Sequence, residues 1–380
     1  MPWQQRASRT TPWCAVALLG CLAALRWAAP ASAQTLFPPV EPVPAMEKTC
    51  LFNDSHFHLT NYIQEGPDAR DVLKIMEGRV CRSTLFGIPL QQQWSYRLTG
   101  DTAPTYYMDT DARLYYYSFT DADIAMRYLA LSPAERARFD PMITGFNPTD
   151  MYAADHVRRV LKTFPGVFEG IGEFSIHKEF VSAKVAGDVA SLTDPALDRL
   201  LDFAGQVGLV AIMHNDVVMP FSKAANAEFY FNQLKATLRK HPDVTLIWAH
   251  IGLGRVVTPP AQYAQFIQEL LSDPAYEHVD FDISWDETAK YIVKDARSLA
   301  AVAAVINRNP DRFLFGTDIV APRDAEHYFS VYQLYQPLWA ALTPEASEKV
   351  RKTNYERIFD TARQRVRAWE RANVPSAASQ

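Results

Sequence analysis

The feature that most restricts this chain is a rhythm. From Val167 onward, short strand-like runs of four or five residues, mostly apolar, alternate with helix-length amphipathic stretches, and nearly every run stops on a polar side chain. Val167 to Ile171 leads to Gly172-Glu173, Leu209 to Met213 ends on His214, and Thr245 to Ala249 ends on His250. Val279 to Ile283 is followed by Ser284-Trp285, and Phe313 to Gly316 by Thr317-Asp318. Between them the spacing predicts helices over 194–206, 224–240, 260–271 and 286–308. Short strands joined by helical crossovers pair in parallel. Three earlier runs, Cys50 to Phe52, Arg82 to Phe86 and Pro141 to Gly145, bring the count to eight. With helices expected over 68–78 and 150–163 as well, the pattern is that of a (β/α)8 TIM barrel rather than an open sheet.

In such a barrel the C-terminal strand ends converge on one cavity. The first strand delivers Asn53-Asp54-Ser55-His56-Phe57-His58. Alternate residues of a strand share a face, so His56 and His58 point inward together while Phe57 packs outward. Asp54, His56, His58, Glu173, His214, His250 and Asp318 are thus expected near one point. Four imidazoles and three carboxylates are costly to bury unless their charge is compensated. A divalent cation compensates it. Nitrogen and oxygen ligands of this kind suit zinc, the ion expected first, and also manganese or iron.

The remaining segments bound the chain's roles. In residues 1–33, Arg6 and Arg9 precede an apolar run from Trp13 to Leu25, and Ala31-Ser32-Ala33 forms a small-residue cleavage site. This reads as a signal peptide leading to a periplasmic or secreted protein. Leu18-Leu19-Gly20-Cys21 gives a lipid anchor on Cys21 as the lesser alternative. No later segment reads as a transmembrane span. Three of the 38 Lys and Arg fall in residues 1–33 and none of the 43 acids does, so residues 34–380 carry a net charge of −8. That balance argues against nucleic acid as a partner. A small-molecule substrate fits better, with a homodimer the commonest assembly.

Residues 34–47, with four prolines, read as an extended arm, residues 48–370 as the barrel, and 371–380 as a disordered tail. Residues 88–140 form an insertion between the second and third strands that is too long for an ordinary connection. It is rich in aromatics, among them Trp94, Tyr96, Tyr106, Tyr107 and Tyr115-Tyr116-Tyr117. Either a pocket wall or a satellite core accounts for them. Cys50 and Cys81 leave two readings, a single bridge or two buried thiols.

The motifs Asp54-Ser55-His56-Phe57-His58, Gly170-Ile171-Gly172-Glu173, Met213-His214-Asn215-Asp216, Ala249-His250-Ile251-Gly252, Phe315-Gly316-Thr317-Asp318 and Asn354-Tyr355-Glu356-Arg357-Ile358-Phe359 together resemble the amidohydrolase superfamily. The likeness is to its amidohydrolase-related branch of barrel hydrolases and decarboxylases. The resemblance implies that His56, His58 and Asp318 hold a metal. With one ion, the arrangement favoured here, His214 completes the site and His250 stands free beside the substrate. With two ions, Glu173 bridges and both His214 and His250 serve the second.

A bound divalent ion makes water acidic and polarises a carbonyl. Asp318 is expected to take the water's proton and pass it to the leaving group, and His250 to stabilise the oxyanion. The expected reaction is hydrolysis of an amide, lactone or ester. Non-oxidative decarboxylation of an aromatic or unsaturated acid is the runner-up, and a non-catalytic metal-bound binding protein the rival from another class. Asn215, Ser284, Trp285 and Tyr96 are candidate pocket residues. His177 and Lys178, just past Glu173, are expected on a solvated loop, with contact to an anionic group the lesser reading, and His156, His241, His278 and His327 without chemistry.

Overall fold

The computed structural model of the protein describes residues 50–61, 64–88, 93–94, 108–109, 117–178, 190–220 and 228–374. Residues 1–47, Tyr96 and most of the aromatic insertion lie outside them.

The sequence rhythm becomes an eight-stranded parallel sheet with flanking helices, a TIM-barrel-like α/β architecture. In chain order the elements are β1 (Phe52–Asp54), β2 (Phe57–His58), β3 (Val80–Leu85), β4 (Gln93–Trp94), β5 (Met108–Asp109), β6 (Phe139–Ile143), β7 (Gly170–Ser175), β8 (Val210–His214), β9 (Thr245–Trp248), β10 (Val279–Asp282), β11 (Phe313–Leu314) and β12 (Ile319–Val320). The sheet runs β1-β3-β6-β7-β8-β9-β10-β11, and β4 pairs with β5 apart from it. Its two edge strands are linked. Ser55 N–H donates to Phe315 O at 3.2 Å, and β12 pairs in parallel with β2, opposing Ile319 to Phe57 and Val320 to His58.

The connecting helices follow their caps. Asp194 accepts from Ala196 N–H and Pro195 opens the helix Pro195–Val207, which Gly208 ends in the left-handed region. Ser132 and Glu135 form a capping box at the start of the short helix Pro133–Arg136. The expected helix over 286–308 is two helices, Asp286–Ile292 and Ala296–Arg308. Asp295 turns out of helical geometry between them and caps the second through Ser298 N–H. The last helix, Asn354–Asn373, passes the expected boundary at Arg371.

Strand positions shift by a few residues from the sequence reading. The largest shift is at β7, which begins at Gly170 rather than Val167, so Glu173 lies within the strand. Cys50 and Cys81 are joined by a disulfide with Cα atoms 5.4 Å apart, which ties the start of β1 to β3. Among the described residues no helix is long and apolar enough to cross a membrane.

Candidate active site

The strand ends bring His56, His58, Glu173, His214, His250 and Asp318 together, all buried except that the Asp318 side chain is slightly exposed. The rings of His56 and His58 lie 5.2 Å apart between centroids, His56 and His250 4.7 Å, and His214 and His250 4.9 Å. Phe57 turns outward against Tyr328, as strand alternation requires.

Several strand ends achieve this by leaving extended geometry. His250, Ile251, Trp285 and Asp318 have φ of 55°, 49°, 84° and 53°, left-handed backbone that costs an L-residue about 1 kcal/mol or more. Gly316 is needed because a side chain there would meet His56, its Cβ lying 2.6 Å from the His56 backbone nitrogen.

The outer partner of each imidazole sets which nitrogen faces inward. His58 Nδ1–H donates to Gly87 O at 2.8 Å, so Nε2 presents a lone pair. Inward it meets Asp318 Oδ1 at 3.0 Å and Glu173 Oε2 at 3.5 Å, neither of which is a donor when ionised. His56 Nδ1–H donates to Asp282 at 2.7 Å, and its Nε2 faces Asp318 at 3.4 Å and Glu173 at 3.7 Å. His214 Nε2 pairs with Asp216 at 3.0 Å, which leaves Nδ1 against Glu173 Oε1, also at 3.0 Å. His250 Nε2 lies 3.5 Å from Glu173 and 3.8 Å from Asp318.

Acceptor thus faces acceptor around the whole cluster. His56 Nε2, His250 Nε2 and Glu173 Oε2 are buried without a hydrogen-bond partner. Either protons or a cation must sit between such atoms. Three overlapping sets, His56/His250/Asp318, His56/His58/Glu173 and Glu173/His214/His250, have donor atoms within 4.8 Å of one another, close enough to share a metal ion. The donor set fits a divalent cation of the zinc, manganese or iron kind.

A family model described as amidohydrolase matches residues 54–361, most of the chain. The chain belongs to the amidohydrolase family. Among solved structures it is similar to an uncharacterized TIM-barrel protein from Bordetella bronchiseptica, at 16% identity and TM-score 0.47 over 82% of this chain and 99% of that one. It is similar also to 2,6-dihydroxybenzoate decarboxylase from Rhizobium, at 14% and 0.48 over 82% and 99%. Dihydroorotase from Campylobacter jejuni matches at 12% and 0.44 over 81% and 83%. No curated protein matches in sequence.

The titration pattern of this amidohydrolase follows from its contacts. Burial alone would lift Glu173, but the Lys178 ammonium and the facing imidazoles hold it well below the usual carboxylate range. Burial works against protonation of His56, yet Asp318, Asp282 and Glu173 keep it well above the ordinary value. Burial depresses His250.

Ser284 was expected on the pocket wall, but it is buried behind the site. Its single hydroxyl proton goes to Asp282 Oδ2 at 2.6 Å, so its oxygen accepts from His250 Nδ1–H at 2.9 Å. Asp282, which also receives His56, is the residue missed by sequence reading. Asp282 and Ser284 are two apart at a strand end and therefore share the inward face. The same network turns a lone pair of His250 inward. Neutral His250 then has no proton for an oxyanion, against the role expected of it.

Asn215 is buried beside the cluster, where its side chain donates to Asp216 O, and does not line the cavity. Trp285 does line it, as expected. His177 is half-buried and stacked on Tyr230 at 3.8 Å, and desolvation lowers its pKa to about 4. Lys178, expected on a solvated loop, is buried with Nζ 3.7 Å from Glu173. His327, given no chemistry, also lines the cavity. Both rest on tertiary placement that no local pattern signals.

Proposed function

We propose that this amidohydrolase cleaves a carboxyl derivative of a small molecule, an amide, lactone or ester, with water activated at a divalent metal centre. The observation that carries this reading is the ring of acceptor atoms aimed at one another. His56, His58, Asp318, His214 and Glu173 would hold the metal. Glu173 stands between two histidine pairs, with Oε2 toward His56 and His58 and Oε1 toward His214 and His250. That placement favours two ions with Glu173 between them over the single ion expected from the resemblance, and it adds His250 to the ligands.

When bound, a divalent ion supplies acidity to a water molecule and polarisation to a carbonyl oxygen. Asp318 is held by its backbone, whose N–H donates to His56 O at 2.7 Å, and its carboxylate opens onto the cavity. It would accept the nucleophile's proton and return it to the leaving group. Asp282 and Ser284 hold His56 and His250 in the tautomer that keeps their inner nitrogens as acceptors. Lys178 brings the positive charge that neutral His250 lacks. Export belongs to the same reading, and a disulfide such as Cys50–Cys81 suits an oxidising compartment.

The test is metal content per chain on protein purified without added metal or chelator, with turnover of a panel of lactones, esters and amides followed during stepwise reconstitution. Full activity at two ions is expected. Full activity at one ion would return His250 to the substrate side. Release of CO2 from an aromatic acid without hydrolysis would replace the reaction, and a folded protein that binds no metal would end the proposal.

A further inference from the structure

Behind the cluster, one buried hydroxyl joins two of the strands that carry it. Thr144 follows β6, and β6 lies between β3 and β7 in the sheet. Thr144 is 1% exposed and its side chain reaches both neighbours. Its Oγ1 accepts from Gly87 N–H at 3.2 Å, just past β3, and its one proton goes to Gly172 O at 3.1 Å, in β7. Gly87 is the residue whose carbonyl receives His58 Nδ1–H at 2.8 Å. Gly172 O belongs to the peptide that leads into Glu173. The circuit closes inside the cluster, where His58 Nε2 and Glu173 Oε2 stand 3.5 Å apart.

Those two atoms are both acceptors, and they repel unless a cation lies between them. Holding them at a fixed spacing before any ion arrives takes support from outside the pair. Thr144 gives it through the backbone, at Gly87 for His58 and at Gly172 for Glu173.

Thr144 is itself anchored. The helix Tyr117–Leu129, within the insertion, brings buried Asp121, whose carboxylate accepts from Thr144 N–H at 2.8 Å and Gly145 N–H at 3.0 Å. His156, from the helix Ala153–Thr163, meets the other carboxylate oxygen at 3.2 Å. The insertion's helix also closes on Gly87, where a Cβ would lie 2.6 Å from Thr120 Cγ2. It therefore grips both members of the circuit that carry no ligand atom.

We infer that Thr144 is a positioning residue for the metal centre and that Asp121, from the insertion, is its anchor. Together they set the spacing of His58 and Glu173 toward a shared ion. This deepens the proposed function and rests on its metal centre. It also makes the insertion's helix part of how that centre is built.

The experiment is zinc affinity of the full-length protein by competition with a chelating dye. The visible spectrum of the cobalt-loaded protein and the urea midpoint are recorded alongside. Thr144→Val keeps the shape of the side chain and removes the hydroxyl. It should weaken zinc binding by about 10- to 100-fold, as loss of a group that orients ligands does, and shift the cobalt bands. Thr144→Ser should restore both to near the wild-type values. Thr237→Val is the control, because Thr237 is another buried threonine bonded to backbone carbonyls, those of Leu192 and Gln233, neither in the cluster. It should leave affinity and spectrum unchanged. Asp121→Ala, outside the sheet, should weaken zinc binding by about 10-fold and decides the matter if Thr144→Val fails to fold. Wild-type affinity and spectrum in Thr144→Val, an equal loss in Thr237→Val, or no rescue by serine would each overturn the assignment. Failure of the parent reading shows separately, as wild-type protein that binds no zinc or hydrolyses none of the panel.

Discussion

The two ends of the strands both bury charge, and they treat it in opposite ways. At the N-terminal end, Asp140 receives Arg82 at 2.7 and 3.0 Å, Arg363 at 2.5 Å and the Tyr355 hydroxyl at 2.6 Å. Glu169 beside it receives Arg363 and Arg367. Cations from β3 and from the last helix meet these carboxylates, so this end is largely compensated by the chain itself, with Glu169 Oε2 alone of the four oxygens unpartnered, and it clasps the C-terminal helix. At the C-terminal end, carboxylates face imidazole lone pairs and inner atoms of His56, His250 and Glu173 have no partner. Buried charge matched within the chain is architecture. Buried donors turned against each other ask for something from outside.

If the contrast is sound, damage at the two ends should separate. Asp318→Asn should reduce turnover by about 10²- to 10⁴-fold, the range of a general acid or base, with little change in the urea midpoint. Asp140→Ala should do the reverse. It leaves Arg82 and Arg363 without their shared carboxylate, a loss of about 3–5 kcal/mol in urea unfolding, while metal content stays at the wild-type value. Comparable loss of stability in both variants would erase the distinction.

Finer tests probe the layer behind the cluster. Ser284→Ala and Asp282→Asn should each weaken metal affinity or activity by about 10- to 100-fold with near-native unfolding, since they act through ligand orientation. Ser284→Thr should retain most of the wild-type affinity.

The smallest effect concerns protons. In the metal-free protein, burial opposes protonation of His56, His58 and His214, but neighbouring carboxylates raise all three above 6.5. Their stabilisation is therefore complete below about pH 6.5 and fades as pH rises through the raised values. Metal displaces those protons, so zinc affinity should climb across the same interval, with proton release measurable by calorimetry in buffers of different ionisation enthalpy. Affinity flat with pH would mean that the imidazoles are already neutral.

The inward cluster was legible because strand alternation is a local rule and parallel strands bring their C-terminal ends to the same edge of the sheet. His56, His58, Glu173, His214, His250 and Asp318 needed only strand ends placed within about three residues. The N-terminal network was not legible, since Arg363 and Arg367 reach Asp140 and Glu169 across some 200 residues of sequence. Lys178 shows the same limit. Its chain neighbours give no sign that the backbone after β7 carries it inward over Trp285. Asp282 was concealed differently, as one of two aspartates within the strand Val279 to Ile283, where attention fell on the residues after the strand end.

The left-handed turns at His250, Ile251, Trp285 and Asp318 have a consequence for descent. A lineage that no longer used this centre would face little resistance to placing glycine or asparagine at those turns, and would gain stability by doing so. Non-glycine residues at four such turns are a cost that continued use of those side chains would justify. Homologous chains should therefore change the cavity wall freely while leaving the turns alone, and loss of these residues would date the loss of the chemistry.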